Sequence, residues 1–303
     1  MDRRIKFRHL QAFVEIVRLR SMKRAAERLL LTQPAISRTL AELEEILGAR
    51  LLDRGRGGIA LTAEGEFFHG FAQSSLSTLE RGLSGIAEFG SEGGLHLRVG
   101  ALPSVAARLI PEVVEDLAKA APELRLTIVD GPLSHLTGLL NRGEIDILLG
   151  RPGEPETMRG VSFTQLYVED VAFVTRPDHP ILADPDLRRI VDWPMIYPPE
   201  RSAIRPFIRR LLVAQGVPLP RHRIETVSGD FGRAYTRKSN AIWIISSGVV
   251  AREIEEGLLI RLPFDTQLTR GPVGMMMRAA EQDTTERRLF FQSVQRSITR
   301  LGL

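Results

Sequence analysis

The sequence predicts an α/β protein with an all-α-rich head, a long linking helix, and a body of two doubly wound subdomains. The first 60 residues carry 13 Lys/Arg and 7 Asp/Glu, a formal charge of +6, whereas the remaining residues carry 28 and 30, a charge of −2. Apolar residues recur at three and four residue steps through the first part of the chain, which indicates amphipathic helices. Beyond Gly94, short apolar runs alternate with helical stretches, which is typical of an α/β body.

Composition excludes several classes of protein. The 303 residues are 43% hydrophobic, which suffices for two or three compact units. The chain has no run of eighteen apolar residues and begins with charged residues, so we expect a soluble, cytoplasmic protein with no membrane partner. Cysteine is absent and the histidines are scattered without ligand spacing, so we expect neither a metal nor a cofactor.

The head begins with two predicted helices. Leu10, Phe13, Val14 and Val17 form one apolar stripe of a helix over residues 7–19. Ser21 is a favourable N-cap for the short helix MKRAAERLL that follows.

A third helix and a hairpin complete the head. Thr32 caps the helix QPAISRTLAELEEILG, Pro34 is tolerated in its first turn, and Gly48 ends it in a left-handed conformation. The next segment, ARLLDRGRGGIALT, has two apolar runs around a glycine-rich turn, which predicts a small hairpin. Three helices and a hairpin predict a winged helix-turn-helix over residues 1–61.

In a helix-turn-helix, one helix braces the DNA backbone and the next presents its first residues to base edges in the major groove. Gln33 and Arg38 have side chains that bind adenine and guanine, and Ser37 on the same face reaches either bases or phosphate. Arg54 and Arg56 of the hairpin suit phosphates or the minor groove. The positive charge of the head, taken alone, would favour a solvated surface with no DNA partner. The prediction of DNA binding therefore depends on the pattern of helices. The predicted contacts with double-stranded DNA are Ser21, Lys23, Thr32, Gln33, Pro34, Ser37, Arg38, Arg54 and Arg56.

The linking helix is predicted within residues 62–94. Its apolar residues recur with a spacing close to a heptad repeat, which is typical of a helix that pairs with a copy of itself. We expect this helix to have no core of its own to pack on and to form a dimer through Leu76, Leu79 and Leu83. The alternative is a helix lying on its own domain, which is less attractive because the glycine-rich stretch 90–94 detaches it from the body.

The body, residues 95–303, shows two series of alternating strands and helices. We expect subdomain I over about 95–164 and 270–303, and subdomain II over about 165–269. Doubly wound folds bind ligands at the carboxyl ends of their strands, so an effector is expected between the subdomains.

Several polar residues fall at these strand ends. Ser104 and Ser202 are each predicted to cap a helix, and Arg205 lies one turn into the second of these helices. Helix amino-termini, hydroxyls and guanidinium groups together favour a small carboxylate. Plain N-capping explains each serine taken alone, and a structural salt bridge would equally explain Arg151. The candidate effector-binding residues are Ser104, Arg151, Ser202, Arg205, Ser246 and Ser247.

The amino-terminal motifs carry a family resemblance. FRHLQAFVEIV, SMKRAAERL, TQPAISRTLAELEEILGARLLDR and LTAEGE resemble, without a gap, the signature of LysR-type transcriptional regulators. The resemblance implies a winged helix-turn-helix, a dimerising linker helix and a periplasmic-binding-protein-like effector domain. It also implies a ligand or hinge contact at Arg151, and a dimer of dimers. RNA polymerase is a further candidate partner.

Stretches of the body are similar to one subgroup of that family. RVGALPSVAARLIP, SFTQLYVEDVAFVTRPDHP, SAIRPF and ETVSGDFGRAYTRKSNAIWIISSGVVA resemble activators of protocatechuate catabolism. This resemblance implies activation of a catabolic operon by a polycarboxylate from aromatic ring cleavage. A regulator of another metabolic operon is the alternative.

Two other classes of function fit the sequence less well than a ligand-controlled regulator. An enzyme is disfavoured because the sequence has no GxSxG elbow, P-loop, GxGxxG or histidine and carboxylate cluster. An architectural DNA binder without effector would explain the basic head but would leave the two-lobed body without a role.

Overall fold

The structure is a computed structural model that describes residues 4–55, 58–88, 95–158, 160–219, 222–279 and 284–303. The chain divides into two compact units, and the division falls between Gly93 and Gly94. The first unit contains the head and the linker helix together with Asn141–Glu144, and the second contains the rest of the body. The glycine-rich stretch 90–94 lies outside the described residues.

The first unit has the predicted order of helices and strands. Its described elements are α1 (Phe7–Leu19), α2 (Met22–Arg28), α3 (Gln33–Leu47), β1 (Leu52–Gly55), β2 (Gly58–Leu61) and α4 (Ala63–Glu88). Strands β1 and β2 form an antiparallel hairpin. The predicted helix ends are confirmed, since the Ser21 hydroxyl accepts the Arg24 N–H at 3.3 Å and the Thr32 hydroxyl accepts the Ala35 N–H at 3.4 Å. Gly48 ends α3 with a φ of 65°.

The core of the head forms between α1, α3 and the first half of α4. Phe13 of α1 and Ile36 and Leu40 of α3 are fully buried there, at the spacing that the sequence predicted. The ring of Phe13 lies 5.8 Å from that of Phe68 on α4, measured between centroids. Burial of this stripe fixes α3 against the rest of the head.

The linker helix departs from the prediction in its first half. Leu76 is only 9% exposed and, with Ala72, belongs to the core of the head. The expectation that the helix has no core of its own to pack on is therefore wrong for this half. A near-heptad stripe does not by itself reveal whether its partner is the same chain or another copy.

The turn between α2 and α3 contains a strained residue. Leu30 has a φ of 56°, a left-handed conformation that is unfavourable for residues other than Gly, Asn and Asp, and it is 93% exposed.

Leu30→Asn should therefore raise the free energy of unfolding by about 1 kcal/mol, because it relieves backbone strain without removing a packing contact. Urea unfolding of the full chain measures the change. Leu31→Asn is the control, since Leu31 has an ordinary φ, and an equal or larger gain there would contradict the explanation.

The first sheet of the body has the strand order β4-β3-β5-β12-β6. Its elements, with the helices that pack on it, are β3 (His96–Ala101), α5 (Pro103–Ala120), β4 (Arg125–Asp130), α6 (Leu133–Asn141), β5 (Ile147–Gly150), β6 (Val161–Glu169), β12 (Gly271–Arg278) and α10 (Thr285–Leu301). Strands β3, β4 and β5 are parallel, and β12 and β6 add antiparallel pairs. Helices α5 and α10 cover one face, whereas α6 packs in a separate cluster with Leu148 and Met276.

The second sheet has the order β11-β7-β10-β8-β9. Its elements are β7 (Val171–Thr175), β8 (Met195–Tyr197), α7 (Arg205–Ala214), β9 (Arg223–Glu225), α8 (Gly229–Lys238), β10 (Ile242–Ser246), α9 (Ala251–Glu255) and β11 (Ile260–Arg261). Strands β8, β9 and β10 are parallel, and β7 and β11 are antiparallel. Trp243, Tyr197 and Phe173 are fully buried in its core.

Strand β6 was not predicted. It pairs along its whole length with β12, so it belongs to the first sheet. The expected boundary near residues 164 and 165 lies inside this strand, and the chain crosses to the second sheet at Asp170 instead. The Met275–Met277 run is a largely buried strand, as predicted.

Within the described part of the chain, none of the helices combines the length and the apolar character needed to cross a membrane.

Candidate functional site

The first turns of α3 present an exposed polar face. Gln33, Pro34 and Arg38 are exposed and Ser37 is half-buried, so the side chains predicted to meet DNA lie on the surface of the head. The guanidinium of Arg38 makes no hydrogen bond or ion pair with any residue that the structure describes. Its guanidinium is therefore available to an external acceptor.

Two contacts of Glu42 hold α3 in place. Glu42 accepts a hydrogen bond from Arg8 at 3.1 Å, and its carboxylate lies 3.3 Å from Nε2 of the buried His9. The hydrogen bonds of His9 and then of Arg8 lower the pKa of Glu42. Since Arg8 and His9 belong to α1, this cluster ties the first helix of the head to α3.

Glu44 holds the hairpin against α3. Its Oε1 accepts the N–H groups of Leu51 at 2.7 Å and Leu52 at 3.2 Å, which fixes the start of β1. Sequence reasoning missed Glu44, because an acidic residue on a helix is ordinarily solvated. Arg54 lies in β1, whereas Arg56 lies outside the described residues.

The residues of α2 have simpler roles. The Ser21 side chain serves as the N-cap of the helix, and Lys23 is exposed at its start. Thr32 likewise combines capping of α3 with an exposed position. A capped helix amino-terminus with exposed donors suits a phosphate.

A second exposed surface lies on α4, and we name it the linker face: Phe67, Phe71, Leu79 and Leu83. Phe67 is 74% exposed and Leu83 is 60% exposed. The rings of Phe67 and Phe71 lie 5.2 Å apart. Exposed apolar groups of this size along one helix are typical of a protein interface.

In the body, the carboxyl ends of parallel strands lead into the predicted effector residues. Ser104 follows β3, but the N-cap of α5 is Leu102, because Pro103 occupies the first turn. The prediction that Ser104 caps the helix is therefore wrong. Ser104 is buried and its hydroxyl hydrogen-bonds the carboxyl of Glu169.

Ser202 is also not a helix cap. Helix α7 begins at Arg205 with Ile204 as its N-cap, and Ser202 instead forms a turn whose carbonyl accepts the Arg205 N–H at 3.1 Å. The neighbouring Ala203 packs against the cluster that contains Leu102. This contact brings the turn before α7 against the apolar cluster that α6 forms on the first sheet.

Arg205 is already engaged on the second sheet. Its Nη1 donates to the carbonyl of Pro198 at 2.9 Å, and its guanidinium pairs with Glu225 at 3.2 Å and Glu200 at 3.3 Å. It also lies over the ring of Tyr197, 5.2 Å from the centroid. A ligand carboxylate would therefore compete with these two acids for one guanidinium.

Arg151 makes structural contacts inside the body. It is 3% exposed, and its two terminal nitrogens donate to the carbonyls of Thr269 and Glu169. Its guanidinium lies 4.9 Å from the ring centroid of Phe207. Glu169 and Thr269 lie on the two segments that cross between the sheets, so Arg151 ties both crossings together. These contacts fit the hinge alternative, and a ligand contact at Arg151 stays a prediction.

The loop after β10 docks on the first crossing. Ser246 is buried at the end of the strand, whereas the Ser247 N–H donates to the carbonyl of Asp170 at 3.1 Å. Burial opposes ionisation of Asp170, but hydrogen bonds from Thr266, Arg261 and Ser247 outweigh it and lower the pKa of this carboxyl. The side chain of Ser247 is thus used by the crossing, and sequence reasoning missed the acid that it serves.

Comparisons with known proteins extend these observations. The family model "Bacterial regulatory helix-turn-helix protein, lysR family" matches residues 7–66, and the model "LysR substrate binding domain" matches residues 90–298. The HTH-type transcriptional regulator PcaQ of Agrobacterium fabrum is 41% identical over 297 residues, which cover 97% of this chain and 95% of that protein. The uncharacterized HTH-type transcriptional regulator YdcI of Escherichia coli is 33% identical, with 98% and 97% covered.

Solved structures show the same fold. Full-length OxyR from Pseudomonas aeruginosa matches with a TM-score of 0.61 at 22% identity, over 97% of this chain and 94% of that one. Full-length CbnR in complex with its target DNA matches with a TM-score of 0.60 at 22% identity, over 97% and 100%.

Proposed function

This chain belongs to the LysR family of transcriptional regulators, and from that premise we propose that it activates an operon of aromatic-acid catabolism in the protocatechuate and β-ketoadipate pathway. The head reads the operator, and a small acidic metabolite bound in the body controls the outcome. The observation that carries DNA reading is the exposed face of α3 with an unpaired Arg38. The likeness to PcaQ over nearly the whole chain supports the choice of pathway.

Each residue of the head has a defined part in this proposal. Gln33 pairs with adenine and Arg38 with guanine, while Ser37 contacts bases or phosphate. Ser21, Lys23, Thr32 and Pro34 lie against the DNA backbone. Arg54 and Arg56 contact phosphates or the minor groove and position the head more than they select sequence.

The effector occupies the cleft between the start of α5 and the turn before α7. Ser104, Ser202, Arg205 and Ser246 surround it. The ligand is a polycarboxylate from aromatic ring cleavage, since more than one carboxylate is needed to displace Glu200 and Glu225 from Arg205 and to reach the opposite serine. Such a ligand acts only through its different affinities for two arrangements of the protein on DNA.

The protein assembles as a dimer through the linker face and, by likeness to the family, as a dimer of dimers. Activation would bring RNA polymerase to the promoter as a further partner, in the cytoplasm. A regulator of another metabolic operon is the second candidate.

Substitution of Arg38 tests DNA reading. Arg38→Ala should weaken binding to the specific operator by about 1–3 kcal/mol, because it removes a base-edge contact, and should weaken binding to random DNA less. Fluorescence anisotropy with an operator selected in vitro from random sequence measures both. Arg209→Ala is the matched control, since Arg209 is an exposed arginine of the body. Equal losses on operator and random DNA would show that Arg38 contacts phosphate instead.

A further inference from the structure

A pocket of about 620 Å³ lies against both crossings between the two sheets, and we name it the hinge pocket. The end of β6 with the first crossing, Val168–Asp170, and Asp265–Gln267 of the second crossing line it. Arg108 of α5 and residues of α9 line its sides. The volume is in the range of small-molecule sites, roughly 300–1,000 Å³. Of the candidate effector residues, Ser247 lines it, whereas Ser104, Ser202, Arg205 and Ser246 do not, so it differs from the effector cleft.

The cations of the hinge pocket are of two kinds. Arg261 is satisfied, because it pairs with Asp170, which also accepts a hydrogen bond from Thr266 at 2.7 Å. The guanidinium groups of Arg108 and Arg270 make no hydrogen bond or ion pair with any residue in the described parts of the chain, although the charge of Arg108 partly opposes the rise that burial causes in the pKa of Glu169. Guanidinium groups on a concave surface bind carboxylates and phosphates through charge-assisted hydrogen bonds.

A buried acid supplies a second feature. Oε1 of Glu169 accepts the N–H of Gly248 at 3.0 Å, whereas Oε2 is buried without a hydrogen-bond partner among the described residues. Burial raises the pKa of Glu169, although Arg151 and Ser104 partly oppose this. A buried polar oxygen without a partner is costly. Oε2 is not accessible in this structure, so a ligand donor gains affinity there when the Glu169 side chain turns toward the pocket.

The remaining lining limits the charge of a ligand. Glu255 and Asp265 are exposed acids at the pocket, and they offset the two unpaired arginines. A ligand with several negative charges is therefore disfavoured. Val168, Ile254 and Phe264 form an apolar wall that suits a hydrocarbon body.

We propose that the hinge pocket is a second ligand site, which takes a small monocarboxylic acid that carries a hydroxyl group. Its carboxylate pairs with Arg108 and Arg270, its hydroxyl donates to Oε2 of Glu169, and its apolar body lies on the wall of the pocket. Both crossings line the site, so an occupied pocket restrains the two sheets relative to each other. The site is independent of the effector proposed for the cleft.

Calorimetric titration of the full chain tests this site. Arg205→Ala serves as the background, because it weakens the effector cleft and leaves the residues of the hinge pocket unchanged. We expect this protein to bind 4-hydroxybenzoate or lactate saturably, and to bind benzoate more weakly than 4-hydroxybenzoate because benzoate lacks the hydroxyl. Adding Arg108→Gln or Arg270→Gln should weaken binding at least about tenfold. Adding Arg209→Gln should leave binding unchanged.

Two results would overturn the proposal. One is the absence of saturable binding of both hydroxy acids at millimolar concentration, and the other is unchanged affinity in Arg108→Gln and Arg270→Gln. Neither guanidinium has a hydrogen bond or ion pair to lose among the described residues, so the variants should fold, which their thermal unfolding verifies. Operator binding by the same proteins tests the head separately, so a failure of the pocket and a failure of DNA reading are distinguishable.

Discussion

The double variant Ser104→Ala/Arg205→Ala should occupy the operator as tightly as the wild type and should no longer respond to the metabolite. The substitutions remove a hydroxyl and a guanidinium from the proposed effector site, so the carboxylates of the metabolite should lose their partners. A ligand shifts an equilibrium only by its differential affinity for the two states, so a protein that cannot bind it keeps its unliganded arrangement on DNA. The head is untouched by either change.

Footprinting and transcription in vitro, each with and without the ring-cleavage polycarboxylate, measure this response. Arg209→Ala is a close control, because Arg209 lies one turn after Arg205 on α7 and is exposed. Ser104→Ala alone also removes a hydrogen bond to the buried Glu169, so its thermal unfolding should be compared with that of the double variant. A double variant that still responds at the same metabolite concentration would show that the effector binds elsewhere.

The variant Leu79→Glu/Leu83→Glu should convert the full chain from a dimer into a monomer. Both leucines are exposed on the linker face, so the charges cost little in the single chain but would be buried in a dimer. Burial of a leucine contributes about 1.5–3 kcal/mol, and in a symmetric dimer each substitution acts twice. Affinity for a DNA site with two half-sites should fall with the loss of the dimer.

Light scattering coupled to size exclusion determines the mass of this variant. Val213→Glu is the control, because Val213 is an exposed apolar residue of the body. Leu76 is unsuitable for this test, since a charge there would disrupt the core of the head. A variant that remains dimeric at micromolar concentration would place the interface on another surface.

Local signals were sufficient to predict the head. Ser21, Thr32 and Gly48 end their helices as expected, and Ile36 and Leu40 are buried at the spacing that the sequence shows. These features depend on neighbours in sequence, so residue type and period determine them. The exposed face of α3 follows directly, because it is the side opposite the buried stripe.

The effector residues were harder to predict, because their roles depend on distant parts of the chain. Pro103 and Pro206 set the starts of α5 and α7, so the caps are Leu102 and Ile204 rather than the serines. Proline in the first turn is a local signal that could have revealed this. The acids that interact with Ser104 and Ser247 are Glu169 at the end of β6 and Asp170 directly after it. No local sequence pattern connects these acids with the two serines.

The edge strand β6 was missed for a similar reason. Its polar and apolar residues mix irregularly, and only its pairing with β12, which lies about a hundred residues later, makes it a strand. Leu76 shows the complementary case, in which a regular stripe has two partners. On α4, Ala72 and Leu76 pack on the head, whereas the exposed linker face is the proposed contact with a second copy.

Selection of DNA from a random pool by the full-length chain tests sequence-specific reading most directly. We expect sequencing of the bound fraction to yield one enriched motif of two related half-sites, spaced by about one turn of DNA, roughly 10 base pairs, or a multiple of it. The same selection with Arg38→Ala should lose preference at one position in each half-site. A bound pool with no motif, or with only a bias in base composition, would contradict the account.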